Sequence, residues 1–194
     1  MLALALIIMS ASCGSDARRH AAESFSQGVS LYLKKDLAGA EAHLKKCLEL
    51  DSGRRDARLL LAKIYYFQGR DDDFEQAIKR YLKCAGDSVE GMRLQARWHM
   101  RKNSIAEAKG ILLRILEIAD NDACTLYLLG RIYSMEGDYH NAIITFNRGF
   151  GNYSYLKQMH DGLAETYLRL GLNERARANI RMSDEIERWN RQEK

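Results

Sequence analysis

The chain is predicted to be all-α, a stack of antiparallel helix pairs repeated five times. The first observation behind this is a fixed interval. Taking the Ala96-to-Gly130 spacing as a constant step in both directions lands on Gly28, Ala62 and Ala164, all small. In the same phase, Phe146 leads to Leu44, Ile78, Leu112 and Ile180, while Tyr133 leads to Leu31, Tyr65, His99 and Tyr167. The second observation is that the 194 residues contain no proline, so helices run uninterrupted and the turns use Gly, Asp, Asn and Ser. The third is composition. Hydrophobic content of 46% with 29% charge suits an ordered globular or repeat protein and argues against disorder.

The first twenty residues stand apart. MLALALIIMSASC carries an apolar run, Leu2 to Met9, followed by small residues and a cysteine. The run is too short to span a bilayer and reads as the apolar core of a secretory signal over 1–12. Ser10-Ala11-Ser12-Cys13 resembles a bacterial lipobox, which implies that Cys13 becomes the lipidated first residue. The charged segment SDARRH then makes 13–20 a tether, and Gly14 after Cys13 is compatible with sorting to the outer membrane.

Five units follow, over 21–54, 55–88, 89–122, 123–156 and 157–190, with 191–194 as a tail. The first shows Gly28, Asp36, Ala40, Leu44 and Cys47, ending in CLELDS. In the second, Ala77 rather than Phe74 matches the small column of Ala40, Ala108, Ala142 and Ala176. Its turn, GRDDDFEQAI, therefore reads as three residues longer than its counterparts, and the junction CAGDSVE as three shorter, with the phase recovered at Val89. Asp71, Asp72 and Asp73 read as a helix start, favoured by the positive end of the helix dipole, and not as a metal site. The third unit keeps Ala96 and Ala108. The fourth is the clearest: LGRIYSMEGDYHNAIITF, residues 129–146, places Gly130 and Ala142 for close helix approach. Tyr133 and Phe146 fill the space beside them. Gly137 suits a positive φ that ends one helix, and Asp138 suits the start of the next. The fifth ends in a charged helix over roughly 174–192, the solvated cap an open repeat array needs.

Leu129-Gly130, Tyr133, Gly137-Asp138-Tyr139, Ala142 and Phe146 resemble the signature of the tetratricopeptide repeat, a helix-turn-helix unit of about 34 residues. The resemblance extends over all five units and implies a right-handed solenoid that binds proteins and has no catalytic role. The family's late proline is replaced by Ser52, Gly86, Asp120 and Ser154.

Chemistry is absent from the sequence. His20, His43, His99, His140 and His160 sit at unrelated positions with no HExxH spacing, and His99 falls in a packing column. There is no G-x-S-x-G, P-loop or dinucleotide fingerprint. Cys47, Cys84 and Cys124 form no disulfide framework and read as buried apolar thiols. The chain is read as non-enzymatic, without cofactor or metal. A net charge of +4 with interspersed signs does not call for nucleic acid.

What the resemblance implies is a groove lined by the first helix of each unit. The candidate residues are Phe25 and Tyr32 in the first unit and Leu59, Lys63, Tyr66 and Phe67 in the second. Arg93, Arg97 and Arg101 follow in the third, Tyr127 and Arg131 in the fourth. The groove is thus apolar and aromatic at its start and basic in its middle. It fits a protein segment carrying apolar anchors beside carboxylates. A chaperone-tail clamp is disfavoured by Phe25, Val29 and Leu60, where such clamps use Lys and Asn. The expected role is a scaffold tethered to a bacterial envelope membrane and facing the periplasm, outer membrane favoured, assisting assembly of an envelope complex. Two alternatives stay open: a cytosolic co-chaperone or adaptor, and a carrier of a small acidic or lipidic ligand around Phe25, Tyr32, Tyr66 and Phe67.

Overall fold

The computed structural model describes residues 2–151 and 155–192, with the side chains of 2–15, 151, 189, 190 and 192 also outside the description. Ten α-helices and no strand are found among the described residues: α1 Leu2–Leu33, α2 Leu37–Leu50, α3 Arg55–Gln68, α4 Asp71–Ala85 and α5 Val89–Arg101. Then come α6 Ile105–Ile118, α7 Ala123–Met135, α8 Tyr139–Arg148, α9 Leu156–Arg169 and α10 Asn173–Gln192, with a 3-10 turn at Gly149–Gly151. The side chain of Cys13 and those of the expected signal over 1–12 lie outside the described residues, as do residues 193 and 194 of the tail. No helix among the described residues is long and apolar enough to cross a membrane.

The second helix of each pair begins at Leu37, Asp71, Ile105, Tyr139 and Asn173, always one full repeat step after the last. That corrects the reading of the second unit: its turn contains no insertion. Phe74 itself occupies the small column and is fully buried, as are Ala40, Ala108, Ala142 and Ala176. The residue with positive φ in each turn keeps the same interval, at Lys35, Gly69, Asn103, Gly137 and Gly171. Gly137 takes φ 79°, after which Asp138 caps α8 by accepting a hydrogen bond from the Asn141 amide. At α4 the N-cap is Arg70, and the three aspartates fill the first turn, where they favour the dipole without capping by side chain.

The fold divides into two compact units, residues 1–91 and 92–194. In the first, α1 pairs with α2, α3 with α4, and α2 lies against α3. The first buried side chain described on α1 is Ala21, where the first repeat is expected to begin. Gly28 lets α1 and α2 approach: a Cβ there would stand 3.0 Å from Leu44 Cγ. Glu41 ties the layers together. Its carboxylate accepts from Lys45 Nζ at 2.7 Å, Arg70 Nη1 at 2.6 Å and Tyr65 Oη at 3.2 Å. Burial alone would raise its pKa, but hydrogen bonds from Lys45 and Arg70 outweigh burial and hold it below the ordinary value.

A folded-state pKa below the unfolded one contributes stability that is present above the unfolded value and lost as pH falls through the folded one. Acid titration of the melting temperature should therefore show a drop below about pH 4.3, the ordinary glutamate value. Glu41→Gln should flatten that drop. Equal slopes for the variant and the parent chain would remove Glu41 as its source.

In the second unit α7 pairs with α8 and α9 with α10, while α6 lies against α7 and α8 against α9. Its core gathers Leu126, Ala142, Phe146, Met159 and Leu163. Ile180, in the same repeat column as the fully buried Leu44, Leu112 and Phe146, is 42% exposed. No further repeat is packed over it, among the described residues. The cysteines divide: Cys47 and Cys124 are buried as expected, but Cys84 is exposed on α4. It lies in the last turn of α4, beyond Tyr81, the last buried position of that helix.

Candidate functional site

Each expected groove residue comes from the first helix of its pair. In the first unit Phe25 is half-buried, with the Arg54 guanidinium 4.4 Å from its ring centroid. Tyr32 is half-buried, and Leu59 is buried at 7% exposure, so Leu59 offers packing more than surface. Tyr66 lies edge-on to Phe67, with centroids 5.6 Å apart, and 5.9 Å from the Phe74 ring. Phe67 is 62% exposed, and Leu33, one repeat earlier at the same register, is 74% exposed. The first helices of this unit thus end on uncovered apolar side chains. Lys63 is not a free cation, because its Nζ lies 2.5 Å from Glu90 Oε1.

The second unit gathers the arginines. Arg93 Nη1 donates to both oxygens of Asp122 at 3.1 Å, and Asp122 also caps α7 through the Thr125 amide at 2.8 Å. Burial opposes the charge on Arg93, while Cys124 and Asp122 more than compensate and raise its pKa. One turn along α5, Arg97 Nη2 lies 3.2 Å from the buried Cys124 Sγ. Arg101 is exposed at the end of α5. On α7 the Arg131 guanidinium sits 5.9 Å from the Tyr127 ring centroid, and Tyr127 is 6.4 Å from Tyr155. Burial, then Cys124, pushes the Tyr155 hydroxyl pKa up. Met135 ends α7 at 52% exposure, at the register of Phe67.

A rule links these contacts. The cation at the ninth position of one repeat meets the second residue of the next: Lys63 meets Glu90, and Arg97 meets Cys124. A carboxylate at that position neutralises Lys63, whereas Arg97 faces a thiol. The basic character expected across Lys63, Arg93, Arg97, Arg101 and Arg131 is therefore uneven, with Lys63 and Arg93 committed to internal ion pairs. Arg54 in the first unit and Asp122 and Tyr155 in the second join these contacts, although the sequence does not single them out. The available signal was opposite charges at two recurring separations, 27 residues for Lys63 and Glu90 and 29 residues for Arg93 and Asp122.

Nothing in this arrangement assembles a nucleophile with a base, and no group of three or more metal-ligating side chains occurs among the described residues. What it can do is hold carboxylates on guanidinium groups and receive apolar side chains beside them.

Comparison with known proteins agrees with the fold. The tetratricopeptide-repeat profile matches residues 31–98, and a second profile of that repeat matches 125–151. No curated protein matches the chain. Among solved structures, PilW, described as a widely conserved type IV pilus biogenesis factor, is 17% identical with a TM-score of 0.77, covering 87% of this chain and 78% of its own. PilF of Pseudomonas aeruginosa is 14% identical with a TM-score of 0.75, covering 89% and 77%. MamA is 21% identical with a TM-score of 0.70, covering 85% and 96%. At these identities the likeness is one of fold.

Proposed function

The chain is a tetratricopeptide-repeat protein, and from that premise we propose that it is a non-enzymatic scaffold of a bacterial envelope, tethered by lipid at Cys13 and assisting assembly of a periplasmic or outer-membrane complex. The observation that carries the binding role is the set of uncovered apolar side chains where the first helices end: Leu33 and Phe67 in the first unit and Met135 in the second. Large apolar side chains left more than half exposed at one repeated register suit anchors for a partner. The guanidinium groups of Arg97 and Arg131 add a preference for carboxylates. The partner is a protein segment with apolar and acidic residues.

Tethering holds such a surface at high effective concentration near membrane-bound partners. The fold likeness to PilW and PilF, the first described as a pilus biogenesis factor, supports a role in envelope assembly. Residues 10–13 support the lipid anchor through their resemblance to a lipobox.

Intact-mass analysis of the protein from its native host tests the tether. The expected result is a mature chain beginning at an acylated Cys13, with the lipid label lost in Cys13→Ala. An unmodified chain beginning at Met1 overturns the envelope assignment. The binding role is tested separately, by cross-linking in the native host with Phe67→Asp as control. A specific cross-linked protein lost in the variant supports the surface; retention of that product at full yield rejects it.

A further inference from the structure

We propose that the first unit carries a second binding site, for an organic carboxylate with an apolar body, in the cleft between α2 and α4. The cleft is open to one side and offers a volume of about 380 Å³, within the size range of small-ligand sites. It opens between the second helices of two successive repeats, so it lies apart from the groove residues described above. Its floor is apolar, formed by Leu48, Leu61, Tyr65 and Ala77. Leu61 and Tyr65 are 9% and 6% exposed.

The cavity has a cause in the sequence. At the register of Ala77 the other repeats carry His43, Ile111, Thr145 and Asn179, all larger. At the register of Phe74 they carry alanine. The second repeat has moved side-chain volume by three residues: Phe74 is wholly buried on the α3 side of α4, and Ala77 leaves space on the α2 side. Ala77 lines the cleft from that register, so a branched side chain there would intrude on it.

Charge then selects the ligand. Two lining ions are committed to internal pairs: Lys45 to Glu41 at 2.7 Å and Asp73 to Arg70 at 2.7 Å. Three remain, Arg58, Arg80 and Glu49. Arg58 Nη2 donates to the Ser52 carbonyl, but its Nε is buried and meets no acceptor among the described residues. Arg80 is exposed and lines the cleft from α4. Two cations against one carboxylate leave a single positive charge, matched by a monoanion. A carboxylate entering between Arg58 and Arg80 would supply the acceptor that Arg58 Nε lacks, since a buried donor without one carries a desolvation cost. The apolar body would rest on Leu48, Leu61 and Ala77. That chemistry describes both the C-terminal residue of a peptide and a free aliphatic acid.

The test is titration of the full chain, followed by amide NMR, with N-acetyl-leucine, hexanoate and the neutral N-acetyl-leucinamide. Saturating shifts at Leu48, Leu61 and Ala77 are expected for at least one carboxylate, with a dissociation constant on the order of 1 mM. The neutral amide should bind about tenfold more weakly, and Arg80→Gln should weaken the carboxylate by a similar factor. Ala77→Ile should weaken binding at least about tenfold by taking the space beside Leu48 and Leu61; if it fails to fold, Arg80→Gln carries the test. Tighter binding of N-acetyl-leucine than of hexanoate identifies a peptide terminus, and the reverse order identifies a free acid. Equal binding of the neutral amide, absence of saturable shifts with both acids, or full binding by both variants overturns the site.

Discussion

Phe146→Ala should cost the second unit about 3–5 kcal/mol of stability, read from the urea midpoint. Phe146 is wholly buried at the centre of its cluster. Its ring lies between two glycines on different helices. A Cβ at Gly130 would stand 2.7 Å from Phe146 Cε1, and one at Gly162 would stand closer still to Phe146 Cζ. The ring thus sets the spacing of α7, α8 and α9, and the glycines are the spaces it needs. Truncation leaves a void flanked by residues with no side chain to fall into it, which places the loss at the upper end of what buried aromatics give. The same geometry makes Gly162→Ala depend on the ring. In the parent chain the new methyl forces the ring aside, at about 1–3 kcal/mol. With Phe146→Ala present the overlap is gone, and replacing a mid-helix glycine should return up to about 1 kcal/mol. The double-mutant cycle should therefore change the sign of the Gly162→Ala effect. Additive losses would show that the ring does not occupy that space.

The fold was legible because the repeat fixes both spacing and size. Gly130 and Phe146 identify a close approach, and Gly137-Asp138 identifies the turn. The second repeat misleads for a physical reason. A small-residue column is a proxy for closeness, and Phe74 satisfies the same register by filling space instead of leaving it. Matching on size alone follows Ala77 and requires an insertion, whereas the turn length is held by Gly69 at its positive φ. The position of Cys84 escapes similarly, because a thiol's apolar character does not specify which side of α4 it faces.

The binding surface was less legible, since net charge on a helix face depends on the neighbouring helix. Lys63 and Arg93 look like Arg97 and Arg131 among the groove positions. Only the packed structure shows that Glu90 and Asp122 reach them. Tyr155 joins the surface from outside the positions the family resemblance implies. Contacts from one repeat to the next decide which cations are spent within the chain.

That distinction selects the second large effect, on which the proposed acidic partner stands. Arg97→Glu with Arg131→Glu should reduce affinity for the partner recovered by cross-linking about 100-fold, with an unchanged thermal melt. Both side chains are exposed, Arg97 against a thiol and Arg131 over an aromatic ring, so reversing them breaks no ion pair seen in the structure. Reversal at Lys63 is the informative contrast. It would set a carboxylate against Glu90 and weaken the fold, mixing stability with binding. Salt separates attraction from shape. Affinity of the parent chain should fall as ionic strength rises and the Debye length shrinks from about 10 Å at 0.1 M toward about 3 Å at 1 M, while the doubly reversed chain should show little dependence. A partner held equally well by the reversed chain would place the recognition on the apolar side chains of Leu33, Phe67 and Met135 and take the arginines out of it.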